Sequence, residues 1–377
     1  MWHGAAVSRH YLDHASTSPV RPVAVAAMAE WLASPLMADP SRLHAEGAAT
    51  RAALEQWRAS IAALLGARPR EVVLTSGATE AIATAVWGAA GRGGHVVVPA
   101  VEHSAVRLAS AMHADVALVG CDRTGRVDPG ELLAAVRPDT ALVHLQWGNH
   151  EVGTCQPVAE VVAACRERGV LVHVDAAQAA GRVPVDFGAL GADLMSVSAH
   201  KMGGPPGIGA LLVRRGLRLR PLLVGGDQER ARRAGLENTP AAAGWAAACD
   251  ELATTLADEQ ARCRALTDRL TAGLAEVDGV HRYGHPVERL PHLVCVGIDG
   301  VEPQAVLLGL DQAGIAAHSG SACASEDLLP SPVLEAMGVD AHRSLRLSVG
   351  WSTTDADVDA VLDALPRVLT RLRALRS

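Results

Sequence analysis

One lysine stands between two apolar runs. Asp193 to Val197 leads into Ser198-Ala199-His200-Lys201, and Ile208 to Val213 leads away from the Gly/Pro-rich turn that follows. Both runs read as buried strands bounded by turn residues. A chain built this way must bring a lysine to the edge of its core, and lysine is among the residues least often buried without a partner. Taken alone, Ser-x-His-Lys is more often a surface loop than a site.

A segment upstream changes that balance. Val170 to Val174 is another apolar run, and it ends in His173-Val174-Asp175-Ala176-Ala177-Gln178. An Asp just past the carboxyl end of a strand faces the crevice where open α/β sheets bind ligands. An Asp in such a place is usually a cap or turn residue. Asp175 precedes Lys201 by 26 positions, room for a crossover and one more strand. Together the two segments favour a Schiff-base lysine holding pyridoxal phosphate (PLP). Asp175 would then serve the pyridinium nitrogen, with Ser198 and His200 near the phosphate.

The 377 residues suffice for two domains. Aromatic residues make up only 3% of the chain, so the core has to be built from Ala, Val and Leu. The net charge of −7, without a basic tract, gives no sign of a nucleic-acid surface. Met1-Trp2-His3-Gly4 does not resemble a signal peptide, and no apolar run approaches membrane-spanning length. The seven cysteines form no C-x-x-C, so neither a metal site nor a disulfide framework is expected. A reducing cytoplasm is the expected location.

Strands alternate with helices through the first two thirds of the chain, which predicts a mostly parallel sheet with helices on both faces. Leu54, Trp57, Ile61, Leu64 and Leu65 mark an amphipathic helix. Glu71 to Thr75 is a strand, and Ser76-Gly77-Ala78-Thr79-Glu80 opens an Ala-rich helix. Free N–H groups and the helix dipole make that junction an anion site, although an ordinary N-cap by Ser76 or Thr79 reads equally from the residues. No G-x-G-x-x-G is present, which disfavours a dinucleotide. His103 follows the strand Val96 to Val98, where a lone histidine is more often structural than catalytic. Cys323 lies in His318-Ser319-Gly320-Ser321-Ala322-Cys323-Ala324-Ser325. It has few apolar neighbours to bury it, unlike Cys165 or Cys295, so it is the best candidate for a reactive thiol.

These segments resemble fold-type I PLP enzymes of the class V aminotransferase group, and more narrowly the group I cysteine desulfurases. Tyr11-Leu12-Asp13-His14-Ala15-Ser16-Thr17 is similar to the family's Y-L-D-N-A-A-T-T, and Ser319-Gly320-Ser321-Ala322-Cys323 to its S-G-S-A-C. Gly225 to Asn238 resembles G-G-G-Q-E-R-x-x-R-A-G-T-E-N. The resemblance implies an α/β fold: a large PLP-binding domain, residues 17–248, with a mostly parallel seven-stranded sheet. A smaller α+β domain, residues 1–16 and 249–377, would carry the cysteine loop. It implies that Lys201, Cys323 and His103 are catalytic. Ala78, Thr79, His103, His150, Asp175, Gln178, Ser198, His200 and Lys201 would bind the cofactor, and Arg346 and Asp39 the substrate. It also implies L-cysteine as substrate, a homodimer, and a protein that accepts sulfur from a Cys323 persulfide.

Three positions depart from the family pattern. Asp39 in Asp39-Pro40-Ser41-Arg42-Leu43-His44 replaces an asparagine near substrate. His150 replaces the asparagine that meets the PLP ring oxygen. Leu236 replaces the threonine that reaches the neighbour's PLP phosphate. A selenocysteine or other carbon–sulfur lyase could use the same framework. A non-enzymatic sulfur-relay scaffold is disfavoured by the intact Lys201 and Cys323. A transaminase would not need a loop cysteine.

Overall fold

The structure is a computed structural model that describes residues 9–91, 93–319 and 330–375. In chain order its strands are β1 His10–Tyr11, β2 Val72–Thr75, β3 His95–Pro99, β4 Asp115–Val119, β5 Thr140–Gln146 and β6 Leu171–Asp175. They continue with β7 Leu194–Ser198, β8 Gly209–Val213, β9 Val280–Tyr283, β10 Leu293–Ile298, β11 Ile315–Ala316 and β12 Ser344–Ser348.

Seven strands form the large sheet, in the order β2-β8-β7-β6-β5-β3-β4. Only β8 runs against the rest, being antiparallel to both β2 and β7. The expected seven-stranded, mostly parallel sheet of an α/β fold is therefore present. Its inner strands are buried on both faces, which explains their continuous apolar runs. The pleat sends alternate residues to opposite layers. Val97, Val143, Val197 and Met195 join one core cluster, while Val96, Val98, Leu142 and Leu194 join another on the opposite face. Helices Ala45–Leu64 and Val158–Glu167 contribute Leu54, Ile61, Val161 and Cys165 to the first cluster. Helices Ala78–Ala90 and Ser104–His113 contribute Ile82, Ala85 and Val106 to the second.

A separate three-stranded antiparallel sheet, β12-β10-β9, packs with helices Pro303–Gln312 and Asp355–Ala374 around Leu310, Leu347, Val361 and Leu365. Strand β1 pairs in parallel with β11, so the N-terminal segment joins this second core through Leu12 and Ile315. The stretch read as one or two helices from about Ala241 is one 37-residue helix, Thr239–Ala275. Its first part buries Ala241, Trp245 and Leu252 in the large core, and its last part buries Cys263, Leu266 and Leu270 in the second. A helix of that length spans about 55 Å and links the two cores without a loop. Among the described residues no helix is long and apolar enough to cross a membrane.

Candidate active site

A cavity of about 490 Å³ opens where β2, β5, β6 and β7 end. The carboxyl edge of an open α/β sheet is where such folds place ligands. Strand register sets its floor. Asp175, the last residue of β6, pairs with Ser196 on β7. The Ser196 hydroxyl donates to Asp175 Oδ1 at 2.9 Å, and the Ala177 N–H donates to the same oxygen at 3.1 Å. The Asp175 carboxylate is thus fixed while it lines the cavity.

Lys201 comes from the short 3-10 turn Ala199–Lys201 that ends β7. Its Nζ donates to the carbonyls of Ala15 and Ser16 at 2.5 and 2.7 Å. Burial, then the nearby Arg346 guanidinium, pulls its pKa down to about 7. An amine near that value both gives and takes protons at neutral pH. The N-terminal segment that receives it also ties down its neighbours. Gln178 Nε2 donates to the Ala15 carbonyl at 2.8 Å, and Thr17 Oγ1 meets His200 Nδ1 at 3.0 Å. Gln178 Oε1 meets His292 Nε2 at 3.1 Å.

Beyond β2, Gly77 is the N-cap of helix Ala78–Ala90 and supplies no side-chain cap. The N–H groups at the start of this helix therefore face the cavity with Ala78, Thr79 and Ser198. A Cβ on Gly209 would lie 2.7 Å from the Gly77 Cα, so only glycine lets the turn close onto β8. Neither Ser76 nor Thr79 acts as an ordinary side-chain cap of this helix.

His103 and His150 meet edge to face on the wall, ring centroids 4.8 Å apart. Burial and the neighbouring His150 hold His103 near a pKa of about 4, and burial and Arg346 hold His150 near 3. Both rings are neutral at physiological pH. His103 Nδ1 accepts the Ala105 N–H at 3.1 Å. Among the described residues His150 Nδ1 is buried without a hydrogen-bond partner. Arg346, on β12, is 2% exposed. Its Nη1 donates to the His150 carbonyl and its Nη2 to Asp13 Oδ1, each at 2.9 Å.

The residues present fit PLP. A fixed carboxylate, an amine of low pKa, an uncapped helix N-terminus and an orphaned imidazole nitrogen answer its ring nitrogen, aldehyde, phosphate and ring oxygen.

The structure brings together Ala78, Thr79, His103, His150, Asp175, Gln178, Ser198, His200, Lys201 and Arg346. Asp39 does not line this cavity in the single chain. Its Oδ1 is held by the Ser41 N–H and hydroxyl at 2.8 and 2.6 Å, and its Oδ2 by Arg42 at 3.1 Å, so it orders its own turn. Cys323 lies outside the described residues. Leu236 is 64% exposed. Sequence reasoning missed Asp13, whose motif was noted but not its side chain. It also missed Gln146 and His318, which line the cavity from the end of β5 and from the segment after β11. The strand-end position of Gln146 was the available signal.

The chain matches the Aminotransferase class-V family over residues 10–361. It is 42% identical to a cysteine desulfurase of Gluconacetobacter diazotrophicus, covering 97% of this chain and 94% of that one. It is 40% identical to the cysteine desulfurase IscS of Methanosarcina thermophila, covering 96% and 92%. Among solved structures it superposes on a NifS-like protein with a TM-score of 0.89 at 31% identity, covering 97% and 100%. It also superposes on SspA in complex with cysteine with a TM-score of 0.80 at 28% identity, covering 92% and 100%. The chain belongs to the class V aminotransferase family, among its cysteine desulfurases.

Proposed function

We propose that this chain is a PLP-dependent desulfurase that converts L-cysteine to L-alanine and leaves the sulfur on Cys323. The observation that carries the reading is the single cavity in which Lys201, Asp175 and Arg346 converge. PLP, when bound, supplies an electron sink for the substrate Cα. Lys201 would hold it, Asp175 would face the ring nitrogen, and the Ala78–Thr79 cradle, with Ser198 and His200, would receive the phosphate. His150 Nδ1 and Gln178 would face the ring oxygen. Arg346 would bind the substrate α-carboxylate. Lys201 Nζ, with its low pKa, would move the proton at Cα, and neutral His103, whose Nδ1 already accepts the Ala105 N–H, would present its Nε2–H as a donor.

The sulfur step belongs to Cys323. Its thiolate attacks the substrate sulfur, an S–S bond forms and the C–S bond breaks. The thiol is oxidised to a persulfide, and the carbon fragment is reduced and takes up a proton to become alanine. Six described cysteines are all raised in pKa by burial, which leaves Cys323 as the candidate thiolate. We further infer a homodimer completed by the Gly225–Asn238 loop, a cytoplasmic location, and a protein acceptor for the persulfide sulfur.

The test is alanine and sulfide release from L-cysteine by the purified holoprotein in the presence of a thiol reductant. Equimolar products support the reading. A holoprotein that yields no alanine, or that yields it only from L-selenocysteine, overturns it.

A further inference from the structure

Arg346 reaches the cavity with both of its η nitrogens already engaged. Nη1 donates inward to the His150 carbonyl, and Nη2 donates to Asp13 Oδ1, each at 2.9 Å. Side-chain exposure is 2% for Arg346 and 18% for Asp13, so the pair is only slightly screened by water. Backbone fixes both partners. Asp13 forms a parallel bridge with Ser348, and the Ser348 N–H donates to the Leu12 carbonyl at 2.8 Å. Leu12 is fully buried. The carboxylate is therefore held beside the guanidinium rather than swinging onto it.

A guanidinium offers a carboxylate two forks, Nη1 with Nη2 and Nε with Nη2. Each uses Nη2. An incoming α-carboxylate gripped at two points must share that nitrogen with Asp13, and two carboxylates on one nitrogen repel. Arg346 and Lys201 are the cationic groups of the cavity's lining, and its carboxylates, Asp175 and Glu80, are not hydrogen-bonded to Arg346. L-Cysteine and L-alanine carry the same α-carboxylate, so an unopposed clamp would hold product as firmly as substrate.

We propose that Asp13 is a positioning residue that sets carboxylate affinity: a built-in carboxylate on Arg346 that weakens the site's hold on α-carboxylates. The inference rests on the reading of Arg346 as the substrate clamp. It makes Asp13 the group that sets how readily small carboxylates, product included, leave the cavity.

Asp13→Asn tests it in the holoenzyme, because the amide keeps an oxygen for Nη2 and removes the charge. Three constants are measured: KM for L-cysteine, and the inhibition constants of L-alanine and propionate. All three are expected to fall together, about threefold to tenfold, as a like charge is lifted from the site. The KM of cysteamine, which has no carboxylate, does not fall. A residue that served only to hold the fold would give the opposite sign, raising all of them. An unchanged or raised propionate constant overturns the proposal, and so does an equal fall for cysteamine. Asp13→Ser is read the same way should the first variant fail to fold. Propionate binding is also followed by titration calorimetry, which needs no turnover. Tighter propionate binding without cysteine turnover in either protein would sustain Asp13's role and sink the desulfurase reading alone.

Discussion

Arg58 and Glu229 meet end to end through two hydrogen bonds of 2.7 Å, with both side chains almost wholly buried. Glu229 Oε2 also accepts the Leu74 N–H at 2.8 Å. The pair pins the Gly225–Asn238 loop to helix Ala45–Leu64 and strand β2. The loop needs pinning, because Glu229, Arg230 and Ala231 all take left-handed backbone, with φ of 49°, 60° and 59°. Each such residue costs roughly 1–2 kcal/mol when it carries a side chain. Further along, Arg233 donates to Glu80 at 2.9 Å, and Glu80 accepts the Ser76 N–H at 2.8 Å. The same loop is thereby coupled to the turn that opens helix Ala78–Ala90.

Glu229→Gln should therefore be destabilising well beyond a surface change. It leaves the Arg58 guanidinium buried with only Glu55 as an ionic partner, at 3.2 Å. Breaking a buried pair from one side costs about 3–5 kcal/mol, and the remaining Glu55 contact places this case near about 3. Urea unfolding reads it. A loss under about 1 kcal/mol would put the pair in the class of exposed ion pairs, against its burial.

Lys201 makes the cofactor-free protein's stability depend on pH. The amine titrates at 10.5 in the absence of perturbation and at about 7 when folded, with burial as the main cause. Between those values the unfolded chain binds more protons than the folded one, so stability rises with pH across the window. Below about pH 7 both states are protonated and the folded state bears the full burden of a buried ammonium. Lys201→Met should be more stable than the cofactor-free wild type at pH 6, with the gap closing as pH rises toward 10. Parallel stability curves for the two proteins would contradict the depressed pKa.

The sheet was legible because its strands are buried on both faces and therefore apolar throughout. Residues that act at strand ends, such as Asp175 and Lys201, could be placed on the same logic. Strand β4 was not, since it is an edge strand whose Leu118 is 65% exposed and whose pattern is mixed. The pairing of Asp13 with Arg346 was hidden for another reason. It joins residues 333 positions apart, and the parallel bridge of Asp13 with Ser348, beside β12, brings them together. Asp39 was read from its motif, and its side chain closes a local turn in the single chain.

Leu236 carries a prediction about the dimer. It is 64% exposed in the single chain, in the loop proposed to complete a neighbour's cofactor site. Leucine offers phosphate no hydrogen bond, whereas a threonine hydroxyl does. Leu236→Thr should bind PLP as tightly or more tightly, by at most about 1.5–3 kcal/mol for a bond to a charged group. The cofactor dissociation constant decides the matter. A fully active monomer by sedimentation would remove the neighbour from the argument altogether.

Cys323 should be the thiol that reacts first. Burial lifts Cys121, Cys155 and Cys165 to about 11, and raises Cys249, Cys263 and Cys295 as well. Alkylation needs the thiolate, so at pH 8 these six are poor targets. Cys323 sits instead in a Ser/Gly/Ala sequence that offers little to bury it. Brief iodoacetamide treatment followed by peptide mass spectrometry should mark Cys323 ahead of the rest and abolish sulfide release in proportion. Cys323→Ser should still bind PLP through Lys201 and still change its absorbance with L-cysteine, yet form no persulfide. Alanine and sulfide production near the wild-type rate in that variant would mean that sulfur leaves the substrate without passing through Cys323. Direct carbon–sulfur lysis would then be the chemistry of this cavity.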